Sequence, residues 1–192
     1  MSIKNSHTTA EALSWDSMLI LVNKLNKNSE AKMALLILVG SHLGLRISDL
    51  LLLKFGDIIG KDYIELTEKK TKKYRKIKIH ENVKQAVADY YSNMPQKLDI
   101  YIFSNYKYTR PISVQFINKK LKEFRDKYSL GIKNVSSHMM RKTFGKRIIE
   151  KCEFKEKGLL MLSEIFNHQS PAVTRKYLGL REEQLMGVYD LL

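Results

Sequence analysis

Four short segments hold the side chains best suited to chemistry. In Ser137-His-Met-Met-Arg-Lys-Thr-Phe144, His138 and Arg141 are three residues apart, so on a helix they share one face. Such a pair can engage a single phosphate, the Arg as a forked charge-assisted donor and the His as proton carrier or hydrogen-bond donor. In Leu162–Leu178, His168 closes one apolar-periodic stretch and Ser170-Pro171 has the chemistry that opens another, with Tyr177 near its end. Gly44-Leu-Arg-Ile-Ser-Asp-Leu50 sets Arg46 at the mouth of a helix with Asp49 three residues on. Between Lys69 and Lys78, seven of ten residues are basic and none is acidic. Neutralising phosphates with such a run releases counterions, which makes affinity fall steeply with salt. Taken singly, each segment also has an ordinary reading: a surface His–Arg pair, a packed aromatic, a helix-start ion pair, a solvated turn.

The periodicity around these segments predicts the elements that position them. Apolar residues at helical spacing mark Ser14–Leu25 and Glu30–Leu43, with Gly44 as a stop, and a third helix over Arg46–Lys54. Phe55–Ile59, Asp62–Thr67 and Arg75–Ile79 are short alternating or apolar runs separated by Gly60-Lys61 and the lysine-rich turn. They predict a small three-stranded antiparallel sheet. Helices are expected again over Asn82–Asn93, Val114–Tyr128, Ser137–Lys151, Leu159–Phe166 and Pro171–Leu178, with Glu153–Gly158 a charged loop. The fold class is α+β, mostly α-helical. The terminal run Arg181–Leu192 spaces Leu185, Val188, Tyr189 and Leu192 as an amphipathic stripe that Gly187 weakens.

Composition narrows the function. At 192 residues, 44% hydrophobic and 28% charged, with no repeat or flexible linker, the chain is expected to be one compact domain, with residues 10–180 as its core. A single cysteine, Cys152, excludes a disulfide framework within the chain and any multi-cysteine metal centre, and fits a reducing, cytoplasmic compartment. It is read as a core or helix-end side chain. No apolar stretch approaches a membrane span, so no membrane is expected as partner. The net charge of +14 points to a polyanion. Residues 1–60 hold 6 basic and 5 acidic side chains, so nearly all the excess lies beyond residue 60. His7, His42 and His80 match no metal-binding spacing, and neither metal nor cofactor is expected. Tyr90, Tyr91, Tyr106 and Tyr108 are read as packed aromatics.

Taken in order, the four segments resemble the tyrosine recombinase, or phage integrase, family, whose catalytic domain has Arg, Lys, His-x-x-Arg, His/Trp and Tyr in that sequence. The resemblance spans about residues 30–180. It implies the DNA breaking-rejoining fold and a catalytic set of Arg46, Lys70, His138, Arg141, His168 and Tyr177. The family's lysine, followed five residues later by Arg and an alternating strand, fits Lys70 with Arg75. Lys69, Lys72 and Lys73 are near enough to keep that choice open. By the same resemblance Tyr177 attacks a DNA phosphodiester to form a 3′-phosphotyrosine, Arg46 and Arg141 clamp the phosphate, Lys70 is the acid, His138 the base or relay, and His168 a donor to the phosphate. Asp49 orients Arg46 or a neighbouring cation, while Lys69, Lys72, Lys73, Arg75 and Lys142 bind DNA.

The implied partners are double-stranded DNA, a homotetramer of this chain in the synaptic complex built from protomers that are monomeric without DNA, and accessory DNA-bending proteins. The segment after Tyr177 is expected to pack on a neighbouring subunit. The implied outcome is integration, excision or inversion of a mobile DNA segment. Competing readings are a type IB topoisomerase, which uses the same groups, and a silent DNA-binding module of the same fold. Three departures stand out: Asn167 where glycine is common, Asp49 where glutamate is frequent, and no helical core-binding domain ahead of the catalytic helices. The last is what a catalytic-domain fragment or a short recombinase would show.

Overall fold

The computed structural model describes residues 10–180. Ser14 opens the first helix, α1 (Trp15–Lys27), its hydroxyl accepting the Ser17 N–H at 3.1 Å. α2 (Ala31–Leu43) is apolar on nearly every side and is buried at Met33–Ile37, Val39–Ser41 and Leu43, as expected of a helix surrounded by others. It packs against α1, α4 (Glu81–Ser92) and α6 (His138–Lys151). With α5 (Val114–Tyr128) these helices enclose the main core, which includes Met18, Leu36, Ile37, Phe55, Phe103, Val83, Leu121 and Met139. A second, smaller cluster of Ile149, Leu159, Leu162, Phe166 and Leu178 joins α6 to α7 (Lys155–Phe166) and α8 (Pro171–Leu178). Among the described residues no helix is long and apolar enough to cross a membrane.

The sheet has two strands where three were expected. β1 (Tyr63–Thr67) pairs antiparallel with β2 (Tyr74–Lys78) in the register Glu65↔Lys76. Phe55–Asp57 is instead a 3₁₀ turn. The Asp57 carboxylate accepts the Lys54 N–H at 2.8 Å and curls the segment. The Phe55 and Gly56 N–H groups donate to Ile100 and Leu98 carbonyls, so the ladder a third strand would need is already satisfied elsewhere. The third predicted helix is likewise shorter: α3 spans Ile47–Leu50, and the chain tightens into i→i−3 bonds at Leu52 and Leu53. α7 begins at Lys155, inside the segment expected to be loop. Cys152 caps the end of α6. Tyr90 and Tyr91 pack around Phe55 as expected, but Tyr106 and Tyr108 are exposed. They lie in the 105–110 loop, closed by an Asn105 N–H bond to the Arg110 carbonyl and away from the core. The amphipathic stripe of Arg181–Leu192 lies outside the described residues.

Two glycines set the approach of the site-bearing elements. Gly44 ends α2 at φ +59°, and a Cβ there would clash with the edge of the Phe144 ring. Gly145 on α6 lets Leu178 of α8 sit directly against the helix backbone, since a Cβ would come 2.6 Å from Leu178 Cδ2. Gly44→Ala therefore combines left-handed strain with overpacking. It is expected to cost about 2–4 kcal/mol, read as a melting temperature lower by about 5–15 °C; an unchanged melting temperature would show that Phe144 yields freely.

Candidate active site

The Gly44 turn does two things for one region. It leaves Arg46 extended as the residue before α3, and it turns the Gly44 carbonyl toward α6, where Arg141 Nη1 donates to it at 2.6 Å. The second guanidinium nitrogen of Arg141 donates to the Phe166 carbonyl at 3.1 Å, and its carbon lies 4.1 Å from the Phe166 ring centroid. Arg46 Nη2 donates to that same Phe166 carbonyl at 3.1 Å. Two guanidinium groups from distant parts of the chain thus converge on one oxygen at the C-terminal end of α7. Arg141 is only 4% exposed, and burial lowers its pKa to about 10, which leaves it cationic at neutral pH.

α7 stops where Asn167 takes the left-handed conformation at φ +52°. Asn tolerates that region better than most side chains, which accounts for it standing where glycine is common. The reversal delivers His168, whose N–H donates to the Ser163 carbonyl at 2.9 Å and whose Nδ1 lies 2.9 Å from the buried Thr174 hydroxyl. Ser170 and Pro171 then start α8 as the sequence predicts. Tyr177 is carried on its last turn, with its ring centroid 5.3 Å from His168 and 5.7 Å from Phe166.

The Tyr177 hydroxyl lies 3.5 Å from His138 Nδ1, at the long limit of a hydrogen bond. Burial pushes the phenol pKa up, and the Arg141 and Arg46 charges oppose that shift. Burial, then Arg141, Lys142 and Lys70, lower the His138 pKa; burial, then Arg141 and Arg46, lower that of His168. Each shift disfavours imidazolium, so both rings are neutral at pH 7, and stability linked to them is lost only as pH falls below the ordinary value of 6.5. Neutral His138 is able to accept a proton from the phenol beside it. Lys142 is buried, with Nζ 5.2 Å from the Tyr177 ring centroid.

The hairpin lysines are arranged less simply. Lys70 is exposed on the turn, near enough for its charge to act on His138. Lys69 and Lys72 are exposed beside it, Lys72 at φ +58°. Lys73 Nζ donates to Asn167 Oδ1 at 2.5 Å and so ties the hairpin to the α7–α8 corner. Asp49 Oδ1 accepts the Lys69 N–H at 2.9 Å, while the carboxylate that meets Arg46 is Glu68, with Oε2 2.5 Å from Nη1. Arg75 donates to the other Glu68 oxygen at 3.1 Å. Sequence reasoning missed Glu68, Thr174 and the Phe166 carbonyl. Glu68 carried a usable signal, being the acid that directly precedes the basic run Lys69–Lys78, whereas a backbone carbonyl carries none. Among the described residues no group of three or more His, Cys, Asp or Glu side chains is placed to hold a metal ion.

Residues 12–184 match the sequence profile of the phage integrase family. The chain is 35% identical over 167 residues to a protein of Bacillus subtilis (strain 168) named "Probable integrase/recombinase YoeC", with 87% of each chain covered. The crystal structure of XerA recombinase superposes with a TM-score of 0.72 at 22% identity, covering 95% of this chain and 65% of that one. XerH recombinase bound to palindromic difH substrate in a post-cleavage complex gives 0.70 at 18% identity, covering 98% and 55%. The chain thus spans between about half and two thirds of those two proteins, and at such identities they establish the shared fold. The profile match along most of the chain, with the relative matched over most of its length, shows that the chain belongs to the phage integrase family of tyrosine recombinases.

Proposed function

We propose that this chain is a site-specific DNA recombinase that cuts and rejoins strands through a covalent link between Tyr177 and a 3′ phosphate. The observation that carries this reading is the convergence of Arg46 and Arg141 on the single Phe166 carbonyl oxygen, with the Tyr177 ring packed against Phe166. A phosphate oxygen is a stronger acceptor than a carbonyl, and two preorganised guanidinium groups suit the charge that grows on nonbridging oxygens in the transition state.

The chemistry then follows from the residues. Tyr177 Oη attacks phosphorus and the bond to the 5′ oxygen breaks, leaving a 3′-phosphotyrosine and a free 5′-hydroxyl. The phenol proton passes to His138, which is neutral and adjacent. A proton must reach the departing 5′ oxygen, and Lys70 on the exposed turn is the donor the family resemblance assigns. His168, held through Thr174, donates from its other ring nitrogen to the phosphate. Rejoining is the same path in reverse with a 5′-hydroxyl from another strand. Two sites of two strands each need one tyrosine per cut, so complete exchange calls for four protomers on DNA. Lys69, Lys72 and Arg75 line the surroundings as phosphate-neutralising cations, in a cytoplasmic setting, whereas Lys142 is buried against the Tyr177 ring and is not placed to do so.

The test is a supercoiled plasmid with two directly repeated copies of the DNA flanking the gene, incubated with the protein in EDTA. Two product circles are expected. Relaxed topoisomers alone would make the chain a topoisomerase, and salt-sensitive occupancy without any strand breakage would make it a silent binding module.

A further inference from the structure

The proposed reaction needs Arg46 cationic, extended and in place before DNA arrives, and Glu68 is the group that touches it. Glu68 is 1% exposed, and carboxylates are almost never that buried unless paired. Its Oε2 accepts from Arg46 at 2.5 Å and from the Thr71 hydroxyl at 2.6 Å, and its Oε1 accepts from Arg75 at 3.1 Å. Burial pushes its pKa up, but the hydrogen bonds from Thr71, Arg75 and Arg46 outweigh burial and hold it below the usual carboxylate range. One ionised carboxylate therefore sits between two guanidinium groups.

The same residue shapes the turn that carries Lys70. The Glu68 N–H donates to the Lys73 carbonyl at 2.9 Å, and the Lys72 N–H donates to the Glu68 carbonyl at 2.9 Å. With the Thr71 hydroxyl on the carboxylate, three of the bonds that close this turn pass through Glu68. Asp49 adds a fourth anchor by accepting the Lys69 N–H. Lys70 is thus flanked on both sides by residues tied to buried carboxylates, one on α3 and one at the end of β1. A buried ion pair is a weak source of stability, often no better than apolar packing of the same volume. What this one supplies is a fixed geometry linking the arginine at the start of α3 to the lysine turn.

We propose that Glu68 is a positioning residue of the DNA-cleaving site: its buried carboxylate fixes Arg46 and, through the Thr71 hydroxyl, the turn bearing Lys70, so that one side chain sets the placement of two. The proposal deepens the recombinase reading and rests on it. It makes Glu68 dispensable for DNA affinity and important for the rate of cleavage.

Glu68→Gln keeps the size and one acceptor oxygen while removing the charge. In single-turnover cleavage of a nicked duplex, its rate is expected to fall by about 10²-fold, with the Kd for uncleaved duplex within about threefold. In an Arg46→Ala background the same substitution is expected to cost less than about tenfold, because part of what it removes is already gone. A wild-type rate in folded Glu68→Gln protein overturns the proposal. So does an equal loss in both backgrounds, which would show that Glu68 does not act through Arg46. Should Glu68→Gln fail to fold, Thr71→Val removes only one donor to the carboxylate and is expected to slow cleavage about three- to tenfold at unchanged Kd; an unchanged rate there overturns the turn-holding role. Amide hydrogen exchange without DNA separates this proposal from the reaction itself. Even in protein that cleaves nothing, Glu68→Gln is expected to deprotect the Lys69 and Lys72 amides, and unchanged protection contradicts the proposal.

Discussion

Tyr177→Phe is expected to abolish covalent attachment to DNA while leaving binding affinity within about twofold. The substitution removes one oxygen that lies 3.5 Å from His138 Nδ1. It keeps the ring that packs on Phe166 and His168 and lies beneath Lys142 Nζ. Fold stability should therefore move by less than about 1 kcal/mol, the ordinary net contribution of one hydrogen bond. Without the oxygen the side chain at 177 offers no nucleophile, and a phenyl ring cannot bond to phosphorus. Gel retardation of a duplex and denaturing gels of the trapped complex read the two properties separately. A residual adduct in the variant would move the nucleophile to another residue.

Arg141 substitutions should show the next largest effect, with a signature that Arg46 lacks. Arg141 is 4% exposed and bridges the carbonyls of Gly44 and Phe166, which belong to different parts of the chain. Arg141→Ala is expected to slow cleavage by about 10²–10³-fold through loss of a preorganised cation. It also leaves the Gly44 carbonyl without that donor, at a cost of about 1–3 kcal/mol in stability. Arg141→Lys should recover the charge without the fork that reaches both carbonyls, and so recover little of the rate. Arg46, with its side chain 19% exposed, should lose rate on replacement by alanine at a smaller cost in stability. Single-turnover rates alongside thermal melts check the contrast. Near-normal cleavage by Arg141→Ala would remove it from the proposed clamp.

The helices with hydroxyl caps and left-handed ends were the most legible in the sequence. Val114–Tyr128 and Pro171–Leu178 have the limits their periodicity predicts, because Ser113 and Ser170 each supply a hydroxyl cap and Ser129 and Gly179 each take the left-handed conformation that ends a helix. The neighbours of Tyr177 were legible for a related reason: His138 and Arg141 share a helix face, and His168 and Tyr177 flank a single capped turn. What could not be read depends on distant partners. Phe55 looks like strand until the Leu98 and Ile100 carbonyls claim its donors. Asp49 looks like the partner of Arg46 because it is three residues away, yet the carboxylate that meets Arg46 comes from residue 68 across the fold. The hairpin offered four lysines within five positions, and sequence spacing has no means of telling that Lys73 is drawn to Asn167 while Lys70 stays exposed.

The joining of α7 and α8 to the rest of the molecule bears on how the proposed nucleophile is presented. Tyr177 stands on an eight-residue helix held by the smaller apolar cluster, with Thr174 and Leu178 as its buried residues. Elements with few buried apolar contacts open locally at lower free energy than the core. Arg141 is the counterweight, since its bond to Phe166 ties the end of α7 to the main body.

The most direct test of the account is to trap the protein on a nicked duplex of its flanking DNA in EDTA, digest it, and identify by mass spectrometry the peptide that retains a nucleotide. The account requires a 3′-phosphate linked to Tyr177. A nucleotide on any other residue, or strand breakage that leaves no nucleotide on the protein, would contradict it.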